Sequence, residues 1–198
     1  MQDSRNGRHV GRVVGLWRYP VKSMGAENLA EVEVSWHGLA GDRRWAFIRN
    51  DAVQSGAVQS GLPWLTLRER GDMSHYLPSF VEPARPDKSP TLDVQRFRPN
   101  ILVEAADEAP FAEDGWVGCV LRLGGMRMRV DKRDGRCVVI TIDPVTTQRN
   151  PAILRAVARD RQGCLGVYGS TVEPGRVAVN DPVLIESPAL PVLIESPA

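Results

Sequence analysis

Short runs of branched and alternating apolar residues, broken by turn residues, dominate this chain and restrict what it can fold into. Residues 10–19, 29–36, 44–48, 100–105, 117–123, 126–130, 137–142 and 176–185 each have the content of a β-strand. Gly124-Gly125 between two of these runs is a hairpin signal. Many short strands with such turns predict a barrel or a sandwich, a mainly β (α+β) fold with few helices. One helix stands out. Asn150 is a good N-cap and Pro151 suits the first helical position. Ile153, Leu154, Val157 and Ala158 then share one face, and Gly163 closes the helix. Residues 62–73 read equally as a weaker helix or a strand.

Residues 82–93 are rich in proline and charge and read as a loop or linker. They divide a β-rich N-terminal part, 1–81, from a core, 94–186, that carries Cys137. Residues 187–198 form a tail. In that tail Pro191-Val192-Leu193-Ile194-Glu195-Ser196-Pro197-Ala198 nearly repeats the segment from Pro182. Two copies are too few for a solenoid, so the repeat reads as a tandem duplication or as an artefact of cloning.

With 198 residues the chain is long enough for one domain with a substantial core, or one domain plus a small lobe. A net charge of +1 argues against a general nucleic-acid binder. No apolar run is long enough to span a bilayer, and the polar N-terminus lacks the apolar stretch of a signal peptide, so the expected location is cytoplasmic and away from membranes. Three widely spaced cysteines do not suggest a disulfide scaffold. They also fall short of the four thiolates of an ordinary iron–sulfur cluster. Cys119 reads as a packing residue in a strand, and Cys164 as a structural residue at a Gly-rich corner. His9, His37 and His75 have no ligand-like spacing, and neither a Gly-x-Ser-x-Gly elbow nor a phosphate-binding Gly-Lys-Ser/Thr loop occurs.

Cys137 is the residue with most chemical potential. It sits in Arg136-Cys137-Val138-Val139-Ile140-Thr141-Ile142-Asp143-Pro144, where an apolar run predicts a strand with the thiol at its end beside an arginine. A thiolate is a soft metal ligand, and a neighbouring guanidinium favours it over the thiol. A buried, space-filling cysteine is the competing reading.

This stretch resembles the MOSC family, the molybdenum-cofactor sulfurase C-terminal domain. Further pieces match in the family's order: Tyr19-Pro20-Val21-Lys22-Ser23, Gly38-Leu39-Ala40-Gly41-Asp42-Arg43-Arg44-Trp45 and Arg96-Phe97-Arg98-Pro99-Asn100. Glu113-Asp114-Gly115-Trp116-Val117-Gly118 and Gly163-Cys164-Leu165-Gly166-Val167-Tyr168, running to Pro174-Gly175-Arg176, complete the set. The likeness is nearest to the branch of the mitochondrial amidoxime reducing component and its bacterial relatives. It implies a MOSC-type β-barrel and a molybdenum cofactor, a pterin with a dithiolene and a terminal phosphate. It makes Cys137 the metal ligand and catalytic residue. It assigns Lys22, Ser23, Arg43, Arg98 and Asn100 to the anionic cofactor, with Arg136, Thr141 and Asp143 beside them.

The implied reaction is two-electron oxygen-atom transfer that reduces N-hydroxylated or related N–O or S–O small molecules. Electrons come from a separate ferredoxin, flavoprotein or haem protein. Pyridoxal phosphate binding is an association of the family as a whole only. The same cysteine could instead carry a persulfide as a sulfur carrier for metal–sulfur centre assembly, or serve a non-catalytic cofactor-binding module. The chain departs from the family pattern at Ile140-Thr141, where one hydroxyl is missing. Thr147 and Asn180 stand where glycines are usual. From residues alone, Lys22-Ser23 also reads as an exposed turn, and Arg98-Pro99-Asn100 as a turn into a strand. Asp143 divides between structural and supporting roles, and Arg136 between tuning the thiolate and plain solvation.

Overall fold

A computed structural model describes residues 7–46, 93–107 and 109–186. The spine is β1 (Arg8–Arg18), whose buried positions include Val10, Val13, Leu16 and Trp17. It pairs antiparallel with β10 (Pro182–Glu186) along its first half, β5 (Ile101–Ala105) along its middle and β2 (Glu27–Leu29) at its end. Register shifts at His9/Gly11 and Val13/Gly15 bend the strand, so it can serve all three partners. From β10 the sheet continues through β6 (Val120–Leu123) and β7 (Met126–Gly135) to β8 (Cys164–Glu173). A second sheet has the order β4 (Gly38–Leu39), β3 (Glu31–Ser35), β9 (Gly175–Ala178). The fold is mainly β, as the alternation predicts, with one α-helix among the described residues.

One apolar cluster fills the space between the sheets. Val10, Val13 and Leu16 meet Val32, Val34 and Val177 from the second sheet, and Leu121, Leu123, Met126, Val130 and Val183 from the first. The helix α1 (Pro151–Arg161) starts as expected. The Asn150 side chain accepts from the Ala152 N–H at 3.1 Å, and Pro151 occupies the first turn. Gln162 takes the left-handed conformation at its end, and Gly163 follows at a φ of +79°. Val157 is buried, Ile153 and Leu154 are half-buried, and Ala158 is exposed.

Several runs differ from expectation. The run 29–36 divides into β2 and β3, and 176–185 into β9 and β10. The run 117–123 is a strand only from Val120, because residues Ala112–Trp116 form a 3-10 turn that buries Trp116. The run 126–130 continues to Gly135 through an arginine-rich stretch paired with β8, a strand that sequence alone did not suggest. Arg44–Ala46 form no strand. Trp45 makes a single parallel bridge to Val21. The expected strand at 137–142 is a 3-10 turn, Val138–Thr141, with Cys137 as its N-cap residue. The end of the 44–48 run, residues 62–73, most of 82–93, His75 and the repeated tail 187–198 lie outside the described residues. Among the described residues, no helix is long and apolar enough to cross a membrane.

Candidate functional site

At the end of β1 the chain runs into Tyr19, whose side chain is 1% exposed. The stretches around 19–24 and 42–45 lie against each other. Asp42 Oδ1 accepts from the Tyr19 N–H at 2.7 Å, the Arg43 N–H donates to the Tyr19 carbonyl at 2.8 Å, and the Lys22 N–H donates to the Trp45 carbonyl at 2.7 Å. These bonds bring two arginines onto one aromatic ring. The Arg98 guanidinium lies 4.1 Å from the Tyr19 ring centroid and that of Arg43 5.2 Å. Arg98 Nη1 donates to the Met24 carbonyl at 2.8 Å. Arg43 Nη1 donates to Asn100 Oδ1 at 2.9 Å and pairs with Asp42. Asn100 is fixed in turn by donating from Nδ2 to the Trp17 carbonyl at 3.1 Å.

The electrostatics here are unbalanced. Burial lowers the pKa of Arg98 to about 10, with the like charge of Arg43 adding to the effect and Tyr19 and Asp42 opposing it. Among the described residues no carboxylate makes an ion pair with Arg98. Burial pushes the Tyr19 phenol up to about 12, although both guanidiniums pull it down. Its hydroxyl is buried and has no hydrogen-bond partner among the described residues. Ser23, Arg43 and Arg98 all have left-handed backbone, with φ of 70°, 47° and 51°. Non-glycine residues adopt this region at a cost and gather in it at functional sites.

The second half of the site is the cysteine turn. Cys137 is exposed and unbridged. The turn replaces the expected strand because its polar groups are satisfied without a strand partner. The Thr141 hydroxyl donates to the Val138 carbonyl at 2.7 Å, and the Ile140 and Thr141 carbonyls face the Arg96 guanidinium. Thr141 is buried, so its hydroxyl serves the turn. Asp143 accepts from the Arg96 guanidinium at 2.6 Å and from the N–H groups of Val145 and Thr146 at 2.9 and 2.8 Å. Burial raises its pKa, but those N–H bonds and Arg96 outweigh burial and hold the carboxyl below its ordinary value. Arg136 is neither solvated nor free. It donates from Nε to the Leu165 carbonyl at 2.7 Å and from Nη1 to the Phe97 carbonyl at 2.9 Å, and it pairs with Asp134 at 3.0 Å. Burial lowers its pKa, against the opposing pull of Asp134, Cys137 and Cys164.

One short stretch joins the halves. Residues 96–100 send Arg96 and the Phe97 carbonyl to the cysteine turn, and Arg98 and Asn100 to the Tyr19 cluster. Met24, from the Lys22-Ser23 turn, also packs against Ile142, as Val139 does. Lys22 and Ser23 border the Tyr19 cluster through their own turn. Arg43, Arg98 and Asn100 form the cluster with Tyr19, and Arg136, Thr141 and Asp143 surround the cysteine turn. Sequence reasoning missed Arg96 and Tyr19 as site residues. Both lie inside quoted motifs, but a 3-10 turn at Val94–Phe97 gives no alternation from which to read which arginine turns inward. The two departures at glycine positions have physical counterparts, for Thr147 and Asn180 take φ of 60° and 77°. Among the described residues, no group of three or more His, Cys, Asp or Glu side chains could hold a metal ion.

Two family models match the chain. One described as the MOSC domain covers residues 75–184, and one described as the MOSC N-terminal beta barrel domain covers residues 10–79. Among solved structures, the YuaD protein of Bacillus subtilis is similar at a TM-score of 0.55 and 13% identity, over 89% of this chain and 95% of that one. YiiM of Escherichia coli gives a TM-score of 0.45 and 16% identity, over 90% of this chain and 71% of that one. No curated protein matches in sequence. At 13% identity the YuaD likeness is one of fold.

Proposed function

The chain belongs to the MOSC family, a family associated with molybdenum-cofactor binding, and from that premise we propose that it binds this cofactor and reduces N-hydroxylated or related N–O or S–O compounds. The observation that carries the reading is Arg98, a desolvated cation with no carboxylate partner among the described residues, beside a second cation on the same ring. Such a corner is suited to an anion, and the cofactor's phosphate is one. Cys137 fits the other requirement, an exposed thiol free of any disulfide.

In this reading Arg98 and Arg43 hold the phosphate, Arg98 with a fork of donors already oriented by Tyr19 and the Met24 carbonyl. Asn100 keeps Arg43 in place. Lys22 and Ser23 contribute a point charge and a hydroxyl from the adjoining turn. Cys137 supplies the thiolate ligand, with the positive charge of Arg136 nearby. Thr141 and Asp143 brace the turn. When bound, the cofactor supplies two-electron oxygen-atom chemistry, and the protein's part is orientation and electrostatics. In this reading electrons come from a separate ferredoxin, flavoprotein or haem protein, since three cysteines fall short of an ordinary iron–sulfur cluster.

The exposure of Cys137 also favours a second reading, a sulfur carrier that holds a persulfide on that thiol. Elemental analysis separates the two. Protein made in a cofactor-competent host should contain near-stoichiometric molybdenum, and Cys137→Ala should lower it about tenfold or more. Metal unaffected by the substitution refutes the ligand role. Well-folded native protein without metal but with persulfide on Cys137 establishes the sulfur carrier instead.

A further inference from the structure

Arg96 is the one buried charged side chain among the described residues, 6% exposed. Its guanidinium is directed at the segment that follows Cys137. Nη1 donates to the Thr141 carbonyl at 3.1 Å and, more weakly, to the Ile140 carbonyl at 3.5 Å, while Nη2 donates to Asp143 Oδ2 at 2.6 Å. The next residue holds the other flank. The Phe97 carbonyl accepts from Arg136 Nη1 at 2.9 Å, immediately before the cysteine. Two consecutive residues therefore hold both flanks of Cys137, the following turn through its backbone carbonyls and the preceding Arg136 through its side chain, while the side chain of Cys137 itself is exposed.

A buried guanidinium is a poor choice for stability alone. Its desolvation is costly, and apolar side chains of similar volume often serve a core as well or better. Here Nε is also buried without a partner. What arginine supplies, and an apolar residue cannot, is a planar fork that fixes several acceptors relative to one another. Thr141, Ile140 and Asp143 are those acceptors, and together they define the turn that Cys137 begins. We infer that Arg96 is a positioning residue, which locks this turn so that the Cys137 thiolate meets the metal of a cofactor whose phosphate sits at Arg98 and Arg43. The inference rests on the molybdenum-cofactor reading above. It adds that the geometry of the ligand is set from residue 96, two positions before the phosphate-holding Arg98.

The test reads the two ends of the cofactor separately, in full-length protein from a cofactor-competent host. Retained pterin is measured by oxidation to its fluorescent derivative. Ligation of Cys137 is measured as protection from iodoacetamide, by mass spectrometry of the peptide containing it. Native protein should retain pterin and protect Cys137. Arg96→Gln should retain pterin, because the Tyr19 cluster is intact, but lose the protection, so that Cys137 reacts as fast as in cofactor-free protein. Arg96→Lys, which keeps the cation without the fork, should recover part of it. Asp143→Asn removes one acceptor and leaves both carbonyls, and should give an intermediate loss; it decides the matter if Arg96→Gln does not fold. Full protection in both Arg96→Gln and Asp143→Asn overturns the inference. So does parallel loss of pterin and protection, which marks general destabilisation. Native protein that retains pterin but leaves Cys137 unprotected refutes the ligand role itself, a different failure.

Discussion

Two guanidinium groups on one tyrosine ring make an unusual residue-scale arrangement, and it has a pH signature. Below pH 10.0 the Tyr19 phenol keeps its proton whether the chain is folded or not. Between 10.0 and about 12 the unfolded chain releases that proton and the folded one retains it. The unfolded state then binds fewer protons, so this residue's contribution to stability is lost as pH rises through the window. Arg98 acts in the opposite sense. Its charged form is disfavoured by burial, so the penalty is present at neutral pH and is relieved as pH rises above about 10. Ultraviolet titration of phenolate absorbance in the folded protein should therefore show a late step near 12, missing in Tyr19→Phe. A native titration that is complete around the ordinary value of 10.0 would sink this account. Legibility differs among these residues. Cys137, Arg98, Arg43 and Asn100 could be named from ordered motifs. Tyr19 and Arg96 could not, because their roles depend on burial, and burial in a 3-10 turn or at a strand end leaves no periodic trace in sequence.

At the scale of elements, the cysteine turn and α1 form one unit. The helix packs against the 138–141 turn, and the Asn150 N–H donates to the Thr141 carbonyl at 2.7 Å while its side chain caps the Ala152 N–H at 3.1 Å. Asn150→Ala removes only the side-chain cap. It should cost about 1 kcal/mol in urea unfolding, with the helix start still tethered through its backbone. An unchanged midpoint would mean that the tether alone fixes the start. This helix was readable because capping, proline placement and helical spacing all agree locally. The 137–142 run was misread for the converse reason. Its Val-Val-Ile-Thr-Ile content suits a strand, yet Arg96, distant in sequence, takes the carbonyls that a strand partner would need. β8 escaped notice because Gly166 and Gly169 interrupt its pattern, and its pairing to β7 with three register shifts is a tertiary fact.

Across the whole molecule, the alternating runs point to a closed or layered β fold but leave the pairing open. The order β2-β1-β10-β6-β7-β8 joins the start of the described chain to its end, and β3 pairs with the distant β9. Local patterns do not encode such partners. The family resemblance supplied the barrel where alternation alone left barrel and sandwich equal. Beside the shared apolar core, the two sheets meet at a close backbone approach. Gly125, in the β6–β7 hairpin, donates its N–H to the Arg176 carbonyl at 2.9 Å, and a Cβ on Gly175 would lie 2.2 Å from the Gly125 carbonyl oxygen and 2.9 Å from the Met126 nitrogen. Those atoms are backbone and cannot swing aside. Gly175→Ala must separate the sheets next to Met126 and Val177, both in the shared core. The expected loss is about 2 kcal/mol, the cost of a strained overpacked contact. Gly115→Ala, where a Cβ meets nothing within 4 Å, is the control and should change stability by less than about 0.5 kcal/mol. Equal effects of the two substitutions would show that the hairpin moves freely and that the sheets are held together by their apolar side chains alone.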